Sequence, residues 1–284
     1  MTAPAPTAPD MAAEIGTFRD RARRRPLATF LLLAFGIGWP SLAAPAITGL
    51  PGEPFLAIFL YGALLAPALI VTRWADGPGA VRRLLTRTLQ WRFGLARWAV
   101  TLFGVPALTL AIAGASGTSQ VPEQGWLHEA GMYLLGTLVI GALLGNIWEE
   151  TAWGGFVQSR LMERHGLLVG SLLTAPLFAA IHVPLEFYGD RTWSGHAVQL
   201  LILLAIAVVY RYLIGTQLLD TGGSLLAIGV LHASWNASRN LDAVEGEWQV
   251  GAAVVLLTLL VAVARRRSPA PLGRYSPRGR TEIG

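Results

Sequence analysis

An all-α, polytopic membrane helical bundle of about eight transmembrane helices is the fold class predicted for this chain, and three observations predict it. Of its 284 residues 53% are hydrophobic and the mean hydropathy is +0.50. Only 14% are charged, against roughly 25% in a soluble domain, too few to cover a globule of this size with water-facing charge. The basic residues are all arginine and fall in clusters between apolar runs, as at the cytoplasmic edge of a bilayer. With no Cys, a disulfide scaffold, a cysteine zinc finger and a thiol nucleophile are excluded.

The elements follow in order. Residues 1–26 read as a disordered basic cytoplasmic tail, beginning in an Ala/Pro/Thr stretch with little apolar content to fold. Residues 27–264 form the membrane-embedded helical domain. Its expected spans are Leu27–Leu50, Phe55–Thr72, Trp98–Ala115, Gly131 to about Arg160, Leu167–His182, Ala197–Leu213, Leu225–Arg239 and Val250–Ala264. Residues 265–284 are a second basic cytoplasmic tail. The segment Ala80–Trp98 sets Arg82, Arg83, Arg87 and Arg92 among Leu84, Leu85, Leu89, Trp91 and Phe93, the pattern of an interfacial amphipathic helix.

Charge placement sets the expected topology. Both termini lie in the cytoplasm if Arg19–Arg25, Arg73–Arg97, Arg160, Arg164 and Arg265–Arg267 are inside. Glu53, Glu123, Glu129, Asp190, Asp242, Glu245 and Glu247 then fall outside. The lipid bilayer is one expected partner, and no nucleic-acid module accompanies the arginines. An Ala-rich, Lys-free composition points to a GC-rich bacterial genome and hence to the bacterial inner membrane.

Against clean apolar runs, a few polar residues stand out. Glu149 and Glu150 lie deep in the fourth span, His182 ends the fifth, and His232 and Asn236 sit in the seventh. An ionised group at mid-bilayer costs about 2.5–3.5 kcal/mol even on the lenient insertion scale, so each is a functional candidate. A turn near His165–Gly166 would pair the fourth and fifth spans as an antiparallel hairpin. Glu149 and His182 each lie about 16 residues from it, roughly 24 Å at 1.5 Å per residue, and should stand at similar depth. His232 and Asn236, four apart, share a helix face, as do Phe178 and His182.

These residue types suit amide hydrolysis. A carboxylate screened from water can serve as general base near neutral pH. A neutral histidine can share the attacking water, and a second His with an Asn amide can donate to a developing oxyanion. No cofactor is required on this reading. The alternative is Zn2+ on Glu149, His182 and His232, although the helical H-E-x-x-H signature is absent. Glu186, four after His182, is a candidate to orient the imidazole ring.

The residues resemble the CAAX protease and bacteriocin-processing (CPBP) family of intramembrane endopeptidases, which includes the Ras-converting CAAX proteases. That family carries E-E-x-x-x-R, F-x-x-x-H and H-x-x-x-N on successive helices. Glu149–Glu150, Phe178 to His182 and His232 to Asn236 match these in order, over roughly residues 98–264. The resemblance implies that Glu149 with His182 activates water and that His232 with Asn236 forms the oxyanion hole. It also implies a cavity open toward the cytoplasm and membrane-anchored protein or peptide substrates. The first motif's arginine falls on Gly154 here, which leaves Glu150 without its expected partner. Two other classes fit parts of this pattern. A non-catalytic member, acting as a membrane scaffold or bacteriocin-type immunity factor, is suggested by Gly154. A proton-coupled transporter would also bury Glu and His, but its usual internal repeat is not found.

Overall fold

The computed structural model describes residues 8–188 and 191–267, and these are helical throughout apart from connecting loops and one isolated β-bridge, Ser119 to Val244. Residues 1–7, 189–190 and 268–284, which belong to the expected tails and an outer loop, lie outside the described residues. The chain divides into two compact units, Met1–Arg83 and Leu84–Gly284.

The first unit holds α1 (Ala8–Arg24), α2 (Pro26–Thr48) and α3 (Glu53–Asp76). Residues 8–24, within the expected tail, are helical and tied down. The Phe18 ring meets Trp74 edge-on, Ala22 is fully buried, and Arg23 Nε donates to the Trp74 carbonyl. Phe30 and Ala34 of α2 and Ala63, Leu64, Ala68 and Val71 of α3 are fully buried.

The second unit carries every candidate site residue. After α4 (Pro78–Thr86) come α5 (Leu95–Ser116), α6 (residues 126–165), α7 (167–182), α8 (Trp193–Asp220), α9 (Leu225–Ser238) and α10 (Trp248–Arg267). The expected interfacial helix over Ala80–Trp98 is shorter than predicted. It stops at Thr86, passes through a 3-10 turn at Arg87–Leu89, and folds over the α8–α9 connection. There Arg87 Nε donates to the Gly223 carbonyl at 2.7 Å and Ser224 Oγ to that of Gln90 at 2.6 Å. Leu89, Trp91 and Leu95 stay exposed, as expected of a surface anchor at a lipid interface.

Among the described residues six helical runs are long and apolar enough to cross a membrane. One of them, Trp126–Phe187, is 62 residues long and breaks at Gly166, whose φ of 76° and ψ of 174° end α6 and begin α7. Glycine meets the need for a positive φ there without a Cβ penalty. Helix α9 has 14 residues, short of the ~20 a lone span requires, so the count of eight is not established. Apolar side chains lie both in the interior and on the surface of this unit. Trp153, Phe156, Tyr210, Leu213, Leu225 and Ile228 are fully buried, while Leu172, Leu173, Leu201, Ile202, Leu259 and Leu260 are exposed. An exposed apolar face of this extent is explained by lipid. The protein is a multi-pass membrane protein.

Candidate active site

Helix α6 changes its winding where it carries the carboxylates. Leu135–Asn146 and Thr151–Gln158 are π-helical, and the α-helical residues between them, Ile147–Glu150, bear Glu149 and Glu150. Such wide turns recur at functional sites because they re-aim side chains. Glu149 and Glu150 are adjacent in sequence and therefore point about 100° apart. One turns to α7, the other to α8.

Toward α7, Glu149 Oε1 lies 3.4 Å from His182 Nε2, longer than an ordinary hydrogen bond. That oxygen is buried and has no hydrogen-bond partner among the described residues. The other oxygen accepts from Asn146 Nδ2 at 3.3 Å, and Asn146 Oδ1 accepts from Asn236 Nδ2 at 3.4 Å. The hairpin thus brings Glu149 and His182 together as the spacing predicts. His182 Nδ1 lies 2.7 Å from the Phe178 carbonyl. A carbonyl only accepts, so Nδ1 carries a proton, and Nε2 is the ring nitrogen that faces Glu149. The Phe178 ring supports that imidazole at 4.8 Å.

Toward α8, Glu150 is fully buried and so is its partner Arg211. Arg211 Nη1 donates to both Glu150 oxygens, at 2.8 and 3.0 Å. The remaining guanidinium nitrogens, Nε at 2.8 Å and Nη2, donate to Gln158 Oε1. Gln158 Nε2 in turn donates to the Arg211 carbonyl at 2.6 Å and to Ser171 Oγ at 3.1 Å. The cation that position 154 does not supply to Glu150 therefore comes from another helix. Glu150 Oε1 also lies 3.0 Å from His232 Nδ1, while Glu149 Oε2 is 4.0 Å from the same nitrogen.

Exposure grades across the cluster. Asn236 is exposed, the His182 side chain is 19% exposed, Glu149 7%, His232 5%, and Glu150 and Arg211 0%. The site therefore opens on the Asn236 and His182 side and is dry on the Glu150 side. Phe178 joins the two, its ring 6.0 Å from His232 and 5.0 Å from the Arg211 guanidinium carbon.

A metal fits this donor set poorly. Among the described residues no group of three or more His, Asp or Glu is arranged to hold an ion, the set Glu149, His182 and His232 included. The His232 nitrogen facing the carboxylates is committed to Glu150. Glu186, the other sequence candidate, uses its backbone carbonyl to accept from His196 Nδ1 at 2.8 Å.

Sequence alone does not single out Arg211, Gln158 or Asn146. The signal for Arg211 is present: a lone arginine inside an apolar run. Ending the sixth span at Leu213 makes it resemble a cytoplasmic-edge charge, whereas the helix continues to Asp220 and leaves Arg211 interior.

Comparison with known proteins adds one match. Residues 130–238 match the family of type II CAAX prenyl endopeptidases, Rce1-like. The matched segment contains Glu149, Glu150, His182, Arg211, His232 and Asn236. No curated protein sequence matches the chain.

Proposed function

We propose that this protein, whose residues 130–238 are of the Rce1-like CAAX protease family, is an intramembrane endopeptidase that hydrolyses peptide bonds of membrane-anchored proteins or peptides. One observation carries the reading. Glu149 Oε1 is buried, lacks a hydrogen-bond partner among the described residues, and lies 3.4 Å from His182 Nε2. A water between them can donate to the open carboxylate oxygen and, with the imidazole neutral, to His182 Nε2.

The chemistry follows from that arrangement. Glu149 and His182 each accept one hydrogen bond from the water, which turns its oxygen lone pairs toward the substrate carbonyl. As the oxygen bonds to carbon, Glu149 takes its proton. The carbonyl oxygen becomes an oxyanion and receives a hydrogen bond from the Asn236 amide, with His232 as second donor when its Nε2 is protonated. Return of the proton to the nitrogen breaks the C–N bond and leaves an acid and an amine. A preorganised donor at the oxyanion typically lowers the barrier by about 2.7–4 kcal/mol.

The expected setting is a bacterial inner membrane with both termini cytoplasmic. Exposed Trp126, Trp193 and Trp248 each begin a helix, α6, α8 and α10, that runs inward on this topology. Tryptophans so placed fit an aromatic belt at the outer interface.

The test uses purified protein in proteoliposomes and a library of N-palmitoylated, quenched fluorogenic peptides. Cleavage by the wild type that disappears in Glu149→Gln and in His182→Ala is expected. Activity that persists in both variants would refute the assignment.

A further inference from the structure

Glu150 is not placed to touch the water-activating pair's open oxygen, yet the site devotes more hydrogen bonds to it than to Glu149. Its carboxylate sits on the dry floor, with Arg211 on one side and His232 on the other. We infer that Arg211 is a positioning residue for the active site: delivered by α8 and clamped by Gln158, it fixes the Glu150 carboxylate and through it the tautomer and orientation of His232. This rests on the hydrolytic reading above for its kinetic consequence, though not for its structural one.

The geometry supports each link. Arginine stays charged, so a dry carboxylate held at 2.8 and 3.0 Å by one of its nitrogens is ionised and can only accept. His232 Nδ1, 3.0 Å from Glu150 Oε1, must then carry a proton, so Nε2 is the nitrogen turned to the reacting groups and donates to the oxyanion only in the doubly protonated ring. A planar guanidinium whose three nitrogens are all engaged cannot swing, and Gln158 is pinned by Ser171 and by the Arg211 carbonyl. The chain Gln158–Arg211–Glu150–His232 ties α6, α8 and α9 into one rigid unit behind the water site.

Gly154 is the steric condition for this arrangement. A Cβ there would collide with Ile228 Cδ1, stand 2.9 Å from Glu150 Oε2 and reach within 3.8 Å of Arg211 Nη2. The place a side chain on α6 would fill is taken by the Ile228 methyl and bordered by the α8 guanidinium. The small residue at 154 and the arginine at 211 are thus two halves of one solution to holding Glu150.

The experiment pairs kinetics with nitrogen-15 NMR of the imidazoles in full-length protein. There are five histidines, few enough to assign by substitution. Arg211→Met is expected to lower kcat about 10- to 100-fold with KM unchanged, and to remove the hydrogen-bonded Nδ1–H signature of His232. Arg211→Lys, which keeps the charge but not the fork, should recover part of both. The pair Glu150→Gln/Arg211→Met removes both charges, so its melting temperature should exceed that of Arg211→Met alone while kcat stays low. That variant also keeps the test open if Arg211→Met does not fold. Wild-type kcat and an unchanged His232 signal in Arg211→Met, or restored kcat in the double variant, would overturn the inference. Should the wild type show no Glu149-dependent cleavage, the hydrolytic reading fails while the His232 signal still decides the role of Arg211.

Discussion

Glu149 and Glu150 share a backbone and a helix turn, and their surroundings differ in nearly every other respect. Glu149 has one oxygen on Asn146 and the other unclaimed beside His182, at the open side of the cluster. Glu150 has a guanidinium on both oxygens and a histidine on one, and no exposure at all. A saturated carboxylate has little left to give a reaction, while an unsatisfied one is held at a cost and can repay it only by binding something. The contrast assigns reactivity to Glu149 and architecture to Glu150, although their sequence positions are equivalent.

The largest expected effect breaks that contrast on stability. Glu150→Gln leaves Arg211 buried without its counter-charge and should cost about 3–5 kcal/mol. Glu149→Gln removes no ion pair with an arginine and should change stability by less than about 1 kcal/mol. Thermal unfolding in a single detergent reads both. Equal losses would mean that the two carboxylates are structurally alike.

Next in size is the exposed edge. Asn236→Ala should lower kcat about 10²- to 10³-fold with little change in KM, because its amide acts on the transition state rather than on the bound substrate. A change confined to KM would move Asn236 from the oxyanion to ordinary substrate binding. Smaller again is Gly154→Ala, whose methyl meets Ile228 and Glu150. Overpacking of this kind costs about 1–3 kcal/mol, and Ile228→Val in the same chain should relieve part of it. The smallest effect concerns Tyr210, fully buried against His232 at 5.2 Å with a hydroxyl that has no hydrogen-bond partner among the described residues. Tyr210→Phe keeps the ring and discards the unpaired group, so stability should stay level or rise by about 1 kcal/mol.

How much of this was legible in the sequence differs by residue. The membrane class follows from charge scarcity and alternating arginines, which are bulk properties that tertiary packing does not alter. The meeting of Glu149 and His182 follows from equal arm lengths on either side of Gly166, because a helical hairpin converts sequence distance into depth. The partner of Glu150 is not legible that way. Arg211 lies 61 residues away on a helix whose rotation about its own axis is set by packing. The break of the Ala80–Trp98 segment is similarly hidden, since its cause is hydrogen bonding to the distant 221–224 turn. Asn146 has a local signal, a lone amide three residues before Glu149. Only the fold reveals that it links Glu149 to Asn236.

The central claim is that Glu149 takes the proton of the attacking water without a bound metal to activate it. Single-turnover cleavage of a palmitoylated fluorogenic peptide measures it most directly, comparing wild type and Glu149→Gln after exhaustive chelation with zinc content determined on the same samples. The account predicts that the chelated, zinc-free wild type cleaves at its original rate and that Glu149→Gln is slower by about 10²- to 10⁴-fold at equal melting temperature. Loss of wild-type cleavage on chelation with recovery specifically on zinc addition, or undiminished cleavage by Glu149→Gln, would contradict it.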